Sequence, residues 1–322
     1  MSPGPPVLAI DLGGSSVRAE VLGPDGMVLG AGRRPVPPVD RSGPDRPAPE
    51  EHTERVIEAV ARAAREALAC VEPATATPVA AVGLAVPGLI DADTGVALYS
   101  ANLGWRDLPL ASRVSALLGL PVRLCHDVRA AGLAELTLGA ARGLSDVVIV
   151  VIGTGISAVL VSGGAVLRGT SGQAGELGHL VVTPDGPVCG CGRRGCLEAV
   201  ASAGAIARHY AELTGRPVGG AAEVVAGLPH DVAAFEVWRS ATEALGDALL
   251  GVSALLAPSV VVVGGGLSGA GDALLDPVRD RMRLRRTVEP LPRLCLAAFG
   301  ARAGLVGAGL VARRALAEGV VA

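Results

Sequence analysis

The sequence is poor in aromatic side chains. Among its 322 residues there are two Trp, two Tyr and two Phe, or 2% of the chain. So few rings exclude an extended aromatic surface for stacking bases, such as proteins that bind single-stranded nucleic acid use. Half of the residues are apolar, so the core must be built from Val, Leu, Ile and Ala. Such a core is typical of layered sheets and helices.

The sequence also lacks an excess of positive charge. Its formal net charge is -3, and no run of like charge is present. It therefore offers no broad electrostatic attraction for nucleic acid or for an anionic membrane. We expect a small molecule as its partner, and neither nucleic acid nor a membrane.

A leader and membrane helices are not expected either. The start, MSPGPPVLAIDLGG, has no basic segment followed by an apolar core, so we expect no signal peptide. Residues 147–167 and 248–271 are uncharged and reach the length that spans a bilayer. Glycines, and Pro258 in the second run, interrupt both, so we interpret them as buried strands, turns and a helix. We therefore predict a cytoplasmic protein, in which six cysteines do not imply three disulfides.

The order of the predicted elements indicates two α/β domains. Residues 7–36 predict three strands joined by a glycine turn and by the turn GPDG. A proline-rich segment, 34–50, is interpreted as an exposed loop, and residues 51–71 have helical spacing. A similar mixture of strands and helices follows from residue 121, with a closing helix from Ala303. A chain of this length accommodates two domains of ordinary size.

Two glycine turns are candidates for phosphate binding. In AIDLGGSS a buried strand ends in an aspartate before the turn, and IGTGIS repeats the arrangement with a threonine. Backbone amides in such turns can approach phosphate oxygens, and a carboxylate beside them can orient Mg²⁺. An ordinary hairpin turn is the alternative that this pattern leaves open. The candidate residues are Asp11, Gly13, Gly14, Ser15, Thr154 and Gly155.

A third glycine-rich turn, GGGLSG at 264–269, matches the G-x-G-x-x-G pattern between a strand and a helix. The next strand, RLCLAAFG, does not end in the acidic residue that would hold a ribose, which disfavours a nicotinamide or flavin site. We expect Gly265 and Gly266 to bind adenosine at the amino end of the helix instead.

In PVRLCHDVRAAGLAE, His126 and Asp127 stand where a strand meets a helix that we predict to start at Val128. Asp127 has two interpretations. It could cap the helix, because aspartate is a favoured capping residue. It could also accept the proton of a hydroxyl that attacks phosphorus. The spacing alone does not decide between them.

The segment GELGHLVVTPDGPVCGCGRRGCLEA, 175–199, contains three cysteines and a histidine. Its C-x-C spacing differs from the C-x-x-C of common redox sites. Cys189, Cys191, Cys196 and His179 supply four ligands that suit tetrahedral Zn²⁺. Four protein ligands leave no position for a reactive water, so the predicted zinc is structural.

Taken together, these motifs resemble a known family. AIDLGGSS, HDVRAAGLAE, IGTGISAVLVSGG, GELGH and CGCGRRGCLEA follow the order and spacing of the ROK family of sugar kinases and repressors, over essentially the whole chain. The resemblance implies an actin-like, ribonuclease H-like fold of two α/β domains with ATP and sugar in the cleft between them. It implies a smaller domain, 1–122 with 303–322, and a larger one, 123–302, that carries the zinc loop. A homo-oligomer, dimer or tetramer, is expected.

The resemblance also implies roles for individual residues. Asp127 becomes the general base, and ATP, Mg²⁺ and structural Zn²⁺ are the expected cofactors. If His179 is fixed to the thiolates, Glu176 and Glu198 would lie on one wall of the sugar pocket. Taken alone, Glu198 has another interpretation, as a carboxylate at the start of a helix. The sugar-binding residues it implies are Asn102, His126, Asp127, Glu176, His179 and Glu198.

His126 departs from the family, which normally has asparagine there. An imidazole can still donate or accept one hydrogen bond, but it cannot do both as an amide does without changing tautomer, so sugar specificity can differ. We predict phosphorylation of glucose, with mannose, N-acetylglucosamine and N-acetylmannosamine as alternatives and polyphosphate as a possible donor. Repressors of the family carry a helix-turn-helix domain before the first strand. Only residues 1–6 precede it here, so we expect a kinase, with a non-catalytic sugar-binding regulator as the alternative.

Overall fold

The computed structural model describes residues 4–38, 50–72, 77–100, 103–170, 172–288 and 290–319. They form two compact units. Unit 1 contains the described residues up to Ala134 and those from Arg302 onward, and unit 2 is Glu135–Ala301.

The strands are β1 (Val7–Leu12), β2 (Ser16–Leu22), β3 (Val28–Pro35), β4 (Val82–Val86), β5 (Leu89–Asp91), β6 (Val96–Ser100), β7 (Trp105–Leu108), β8 (Val122–His126), β9 (Val147–Ile152), β10 (Ile156–Ser162), β11 (Ala165–Val166), β12 (Val260–Gly264) and β13 (Arg293–Leu296). The helices are α1 (Glu50–Ala69), α2 (Leu110–Leu118), α3 (Asp127–Thr137), α4 (Leu197–Ala201), α5 (Ala203–Thr214), α6 (Ala221–Gly227), α7 (Val232–Leu256), α8 (Asp272–Arg285) and α9 (Ala303–Ala317).

Each unit is built on a five-stranded sheet with the same topology. The orders are β3-β2-β1-β4-β8 in unit 1 and β11-β10-β9-β12-β13 in unit 2. In both sheets the first three strands are antiparallel neighbours, and the last two run parallel to the central strand. The prediction of three strands in residues 7–36 is confirmed. Unit 1 also contains a small sheet, β5-β6-β7, that the sequence analysis did not predict.

Strand β1 contributes to two hydrophobic cores because its side chains alternate between the two faces of the sheet. Leu8, Ile10 and Leu12 lie in the core that contains the apolar face of α1. Val7 and Ala9 lie in the core formed with α9. Helices on both faces explain why every residue of β1 is buried.

The two uncharged runs form short elements, as predicted. Residues 147–167 contain β9, β10 and β11, and residues 248–271 contain the end of α7, β12 and a 3₁₀ turn, Gly266–Ala270. None of the described helices is both long and apolar enough to cross a bilayer. Of the predicted proline-rich loop, residues 39–49 lie outside the described part of the chain.

Two predicted boundaries need correction. The second domain was predicted to begin at residue 123, but β8 pairs in parallel with β4 and completes the sheet of unit 1. Residues 123–134 therefore belong to unit 1, and unit 2 begins at Glu135. The helix predicted from Val128 begins one residue earlier, at Asp127.

A buried carboxylate organises the start of unit 2. Glu135 is 1% exposed. Its Oε2 accepts hydrogen bonds from the backbone N–H groups of Ala140 at 2.9 Å and Ala298 at 3.0 Å, and its Oε1 accepts one from Phe299 at 3.0 Å. This side chain therefore satisfies N–H groups from two segments that are far apart in the sequence.

We expect Glu135→Ala to lower the free energy of unfolding by about 3 kcal/mol or more, because three N–H groups lose their acceptor. Urea denaturation followed by circular dichroism measures this change. Glu243→Ala is the control, because this partly exposed partner of Arg239 should contribute about 0.5 kcal/mol. Equal stability of Glu135→Ala and the wild type would contradict the role given to Glu135.

Candidate active site

The first glycine turn joins β1 to β2. Asp11, near the end of β1, is 8% exposed, and its Oδ2 lies 2.5 Å from Nη2 of its cross-strand partner Arg18. Burial raises the pKa of Asp11, and Arg18 opposes that rise. The Gly13 N–H donates to the carbonyl of Ser16 at 2.9 Å. Gly14 and Ser15 are exposed, so the turn presents its backbone beside a buried carboxylate.

Asp127 lies at the same edge of this sheet. Asp11 is in register with Ala85 on β4, and Ala85 is in register with Cys125 on β8. Strands lie about 4.8 Å apart, so Asp11 and Cys125 are about 10 Å apart. Asp127 follows two residues after Cys125 as the first residue of α3, and its Oδ1 accepts the Val128 N–H at 2.7 Å. Its side chain is 31% exposed.

His126 lies beside this carboxylate as a neutral imidazole. Burial, and secondarily the charge of Arg129, lowers the pKa of His126 to about 4. The His126 Nδ1 lies 3.2 Å from Oδ1 of Asp127. Among the described residues this buried Nδ1 has no aligned hydrogen-bond partner. A small rotation of the ring would let this nitrogen bond with Asp127.

The second glycine turn joins β9 to β10 in unit 2. The Gly153 N–H donates to the carbonyl of Gly155 at 2.9 Å, and Thr154 between them is exposed. Gly265 lies next to this turn, because a Cβ at that position would be 2.4 Å from the carbonyl oxygen of Ile152. Gly266 then begins the 3₁₀ turn that precedes α8. The two predicted nucleotide-binding segments of unit 2 are therefore neighbours.

The GELGH segment packs tightly against β10. A Cβ on Gly178 would lie 2.2 Å from the carbonyl oxygen of Ile156, so the backbone approaches as closely as only glycine allows. His179 follows directly, with its Nδ1 3.7 Å from the Cys189 Sγ. Its Nε2 lies 3.8 Å from Oε2 of the exposed Glu176. The two ring nitrogens therefore face different groups.

The predicted metal ligands come together. The ligand atoms of His179, Cys189, Cys191 and Cys196 all lie within 4.8 Å of one another, and the sulfurs of Cys191 and Cys196 are 3.7 Å apart. A tetrahedral Zn²⁺ with Zn–S bonds of about 2.3 Å separates its sulfurs by about 3.8 Å. A hydrogen bond from the backbone N–H of Arg193 is the largest contribution that lowers the pKa of Cys191 to about 6. The cluster is compatible with zinc in both geometry and donor set.

Glu198 lies in the first turn of α4, two residues after the last cysteine. Its Oε2 accepts the backbone N–H of Ile156 at 3.0 Å, directly after the second glycine turn. Its Oε1 lies 4.0 Å from the Cys189 Sγ. The family resemblance implies a role for this carboxylate at the sugar, whereas no local pattern in the sequence indicates its contact with a residue 42 positions away.

Within each unit, the structure brings predicted residues together. Asn102 lies outside the described residues. Arg18 was missed, although alternation along β2 and the β1–β2 pairing would have placed it opposite Asp11. Unit 1 holds Asp11, Gly13, Gly14, Ser15, His126 and Asp127, and unit 2 holds Thr154, Gly155, Glu176, His179, Glu198, Gly265, Gly266 and the three cysteines.

The model of the ROK family matches residues 7–315. The chain belongs to the ROK family. This ROK protein is 31% identical to a glucokinase of Streptomyces coelicolor over 327 aligned residues, which cover 95% of the chain and 97% of the relative. It is 33% identical to an N-acetylmannosamine kinase of Shigella boydii, over 95% of the chain and 98% of that protein.

A solved structure gives the same result. The ROK family glucokinase of Streptomyces griseus in complex with glucose and AMPPNP matches with a TM-score of 0.79 and 31% identity, over 96% of this chain and 99% of that one. The predicted actin-like, ribonuclease H-like α/β fold is confirmed.

We expect the His126 ring to remain neutral down to about pH 5, because its environment disfavours the charged form. Histidine NMR titration, with His126→Asn to assign the signal, measures its midpoint. The unfolded chain binds a proton at its ordinary pKa of about 6.5. Stability should therefore fall between pH 7 and pH 5 by about 2 kcal/mol more in the wild type than in His126→Asn. A midpoint above pH 6 would contradict this environment.

Proposed function

We propose that this ROK protein is an ATP-dependent hexose kinase that converts glucose to glucose 6-phosphate. The observation that carries the proposal is the position of Asp127, a partly exposed carboxylate at the same sheet edge as Asp11 and the first glycine turn. A general base for phosphoryl transfer needs this combination of an oriented acceptor and a nearby phosphate site.

Asp127 acts on the attacking hydroxyl. The sugar 6-hydroxyl gives its proton to the carboxylate while its oxygen forms a bond to the γ-phosphorus. The bond from that phosphorus to the β-phosphate oxygen breaks, and ADP leaves. The hydrogen bond from the Val128 N–H holds the carboxylate in a fixed orientation during this transfer.

The glycine turns bind the nucleotide. Amides of Gly13, Gly14 and Ser15, and of Thr154 and Gly155, donate to phosphate oxygens. Gly265 and Gly266 lie against the adenosine at the start of a helical segment. Asp11 would orient Mg²⁺, whose positive charge would offset the charge of the phosphoryl group.

The sugar is held by hydroxyl-binding side chains. Asn102, Glu176, His179 and Glu198 accept or donate hydrogen bonds to several hydroxyls at once. His126 contributes one hydrogen bond where the family has an amide. Glucose is favoured by the likeness to glucokinases. The likeness to N-acetylmannosamine kinases favours an N-acylhexosamine as the second candidate.

We expect ADP formation from ATP with glucose, and slower turnover with mannose, N-acetylglucosamine or N-acetylmannosamine. Asp127→Asn should reduce kcat by a factor of about 100 to 10,000 with little change in sugar affinity, because the amide keeps the shape but takes no proton. A coupled ADP assay and calorimetry with the sugar measure both quantities, and polyphosphate replaces ATP in a parallel series.

Three outcomes would contradict this function. Near-normal turnover of Asp127→Asn would remove the base assignment. Sugar binding without turnover in the wild type would favour a non-catalytic regulator. Preference for another sugar would transfer the same mechanism to that substrate and defeat the glucose assignment.

His179, Cys189, Cys191 and Cys196 would hold a structural Zn²⁺, which would fix the loop next to Glu176 and Glu198. Cys191→Ser should reduce the zinc content from one ion per chain to nearly none and weaken sugar binding. Elemental analysis and calorimetry measure the two effects. Cys295→Ser, on the partly buried β13 of the same unit, is the matched control. Zinc loss with unchanged sugar affinity would limit the metal to stabilising the loop.

A further inference from the structure

Glu198, which is partly exposed, contacts the second glycine turn. Its Oε2 receives the N–H of Ile156, the first residue after the turn. A Cβ on Gly155 would lie 2.5 Å from the same oxygen, so the carboxylate occupies the space that a side chain at residue 155 would need. The carboxylate and the turn are therefore in direct van der Waals contact as well as hydrogen-bonded.

A second contact joins the same segments. The N–H of Ala203, at the start of α5, donates to the carbonyl of Gly153 at 2.9 Å. The turn is thus held on one side by Glu198 and on the other by Ala203. Glu198 and Ala203 both lie in the segment that follows directly after Cys196.

The zinc loop determines where Glu198 lies. Cys196 immediately precedes α4, and the Leu197 N–H donates to the carbonyl of Leu180 at 2.8 Å, beside His179. Oε1 of Glu198 lies 4.0 Å from the Cys189 Sγ. A displacement of the cysteine loop would therefore move the carboxylate away from Ile156.

We propose that Glu198 is a positioning residue for the Gly153–Gly155 turn, and that it couples the cysteine loop to the binding of nucleotide phosphate. The inference rests on the proposed binding of ATP at this turn. By fixing the peptide that ends the turn, Glu198 keeps the N–H groups of Thr154 and Gly155 in one orientation. Preorganised donors bind phosphate better than mobile ones, because their ordering cost is met during folding.

The test compares Glu198→Ala with Glu198→Gln. Alanine removes the acceptor, so we expect the dissociation constant of ADP to rise about tenfold, as for one lost hydrogen bond to a charged group. Glutamine retains an acceptor oxygen and should keep ADP affinity within about twofold. Calorimetry with ADP in the absence of sugar measures binding without catalysis. Hydrogen exchange at the Ile156 amide should be faster in Glu198→Ala and near normal in Glu198→Gln.

Gly155→Ala probes the same contact from the other side. Its Cβ should displace the carboxylate and weaken ADP binding in the wild-type background. In the Glu198→Ala background the space is open, so the added loss should be smaller than in the wild type. Such non-additivity is the signature of two residues in contact. Cys191→Ser should also weaken ADP binding, because it loosens the loop that carries Glu198.

The chain contains a matched control. Glu223 Oε1 accepts the N–H of Gly219 at 3.0 Å, and a Cβ on Gly219 would lie 2.5 Å from that oxygen. Glu223→Ala and Gly219→Ala repeat the two changes at the start of α6, outside the glycine turns. Both should leave ADP affinity unchanged.

The outcomes separate the inference from the proposed function. Unchanged ADP affinity in Glu198→Ala, or equal losses in the alanine and glutamine variants, would overturn the positioning role. A raised KM for sugar with an unchanged KM for ATP would assign Glu198 to the sugar alone and overturn it too. If the wild type binds no nucleotide, the proposed function itself fails. If Glu198→Ala does not fold, Gly155→Ala and Glu198→Gln decide by the same ADP measurement.

Discussion

The candidate active site of unit 1 depends on the parallel pairing of β1, β4 and β8. This register places the carboxyl end of β1, with Asp11, level with the end of β8, where Asp127 follows. The two carboxylates lie at the same end of the strands without any contact between their side chains, because backbone hydrogen bonds fix the register of the strands. Burial on both faces makes a slip of register costly, since it would move apolar side chains to the wrong core.

In unit 2, contacts with loops hold the candidate site residues in position. Its second glycine turn lacks a carboxylate of its own and is held by segments that follow the cysteines. His179, Cys189 and Glu198 form a continuous series of contacts from the cysteine loop to the turn. A structural metal in this loop would therefore influence residues that do not bind it.

The strands and the motif chemistry were accessible from the sequence. Alternation and glycine turns identified β1, β2 and β3, and the spacing of the cysteines with His179 identified four side chains whose ligand atoms lie close together. Short elements without strong periodicity were not predicted, as β5, β6 and β7 show. The domain boundary was misplaced because pairing between β4 and β8 depends on tertiary register, which a local pattern does not contain.

Contacts between polar side chains and backbone amides that are far apart in the sequence could not be predicted from local patterns either. The sequence shows that Glu198 is acidic and places it near the start of a helix, and the structure confirms that position. Which of its possible partners it reaches is decided by packing of α4 against β10. The same holds for Glu135, whose acceptors serve amides more than 160 positions later.

The duplicated sheet topology has a consequence for how substrate choice can change. The two hairpins supply the same backbone frame, but one presents a carboxylate held by an arginine, and the other presents a threonine hydroxyl beside a backbone amide that donates to a glutamate. The charge that each turn presents therefore depends on different side chains carried by the same sheet topology. Substitutions in one unit, including replacement of a proposed sugar-binding residue such as His126, can therefore change that unit without changing the other.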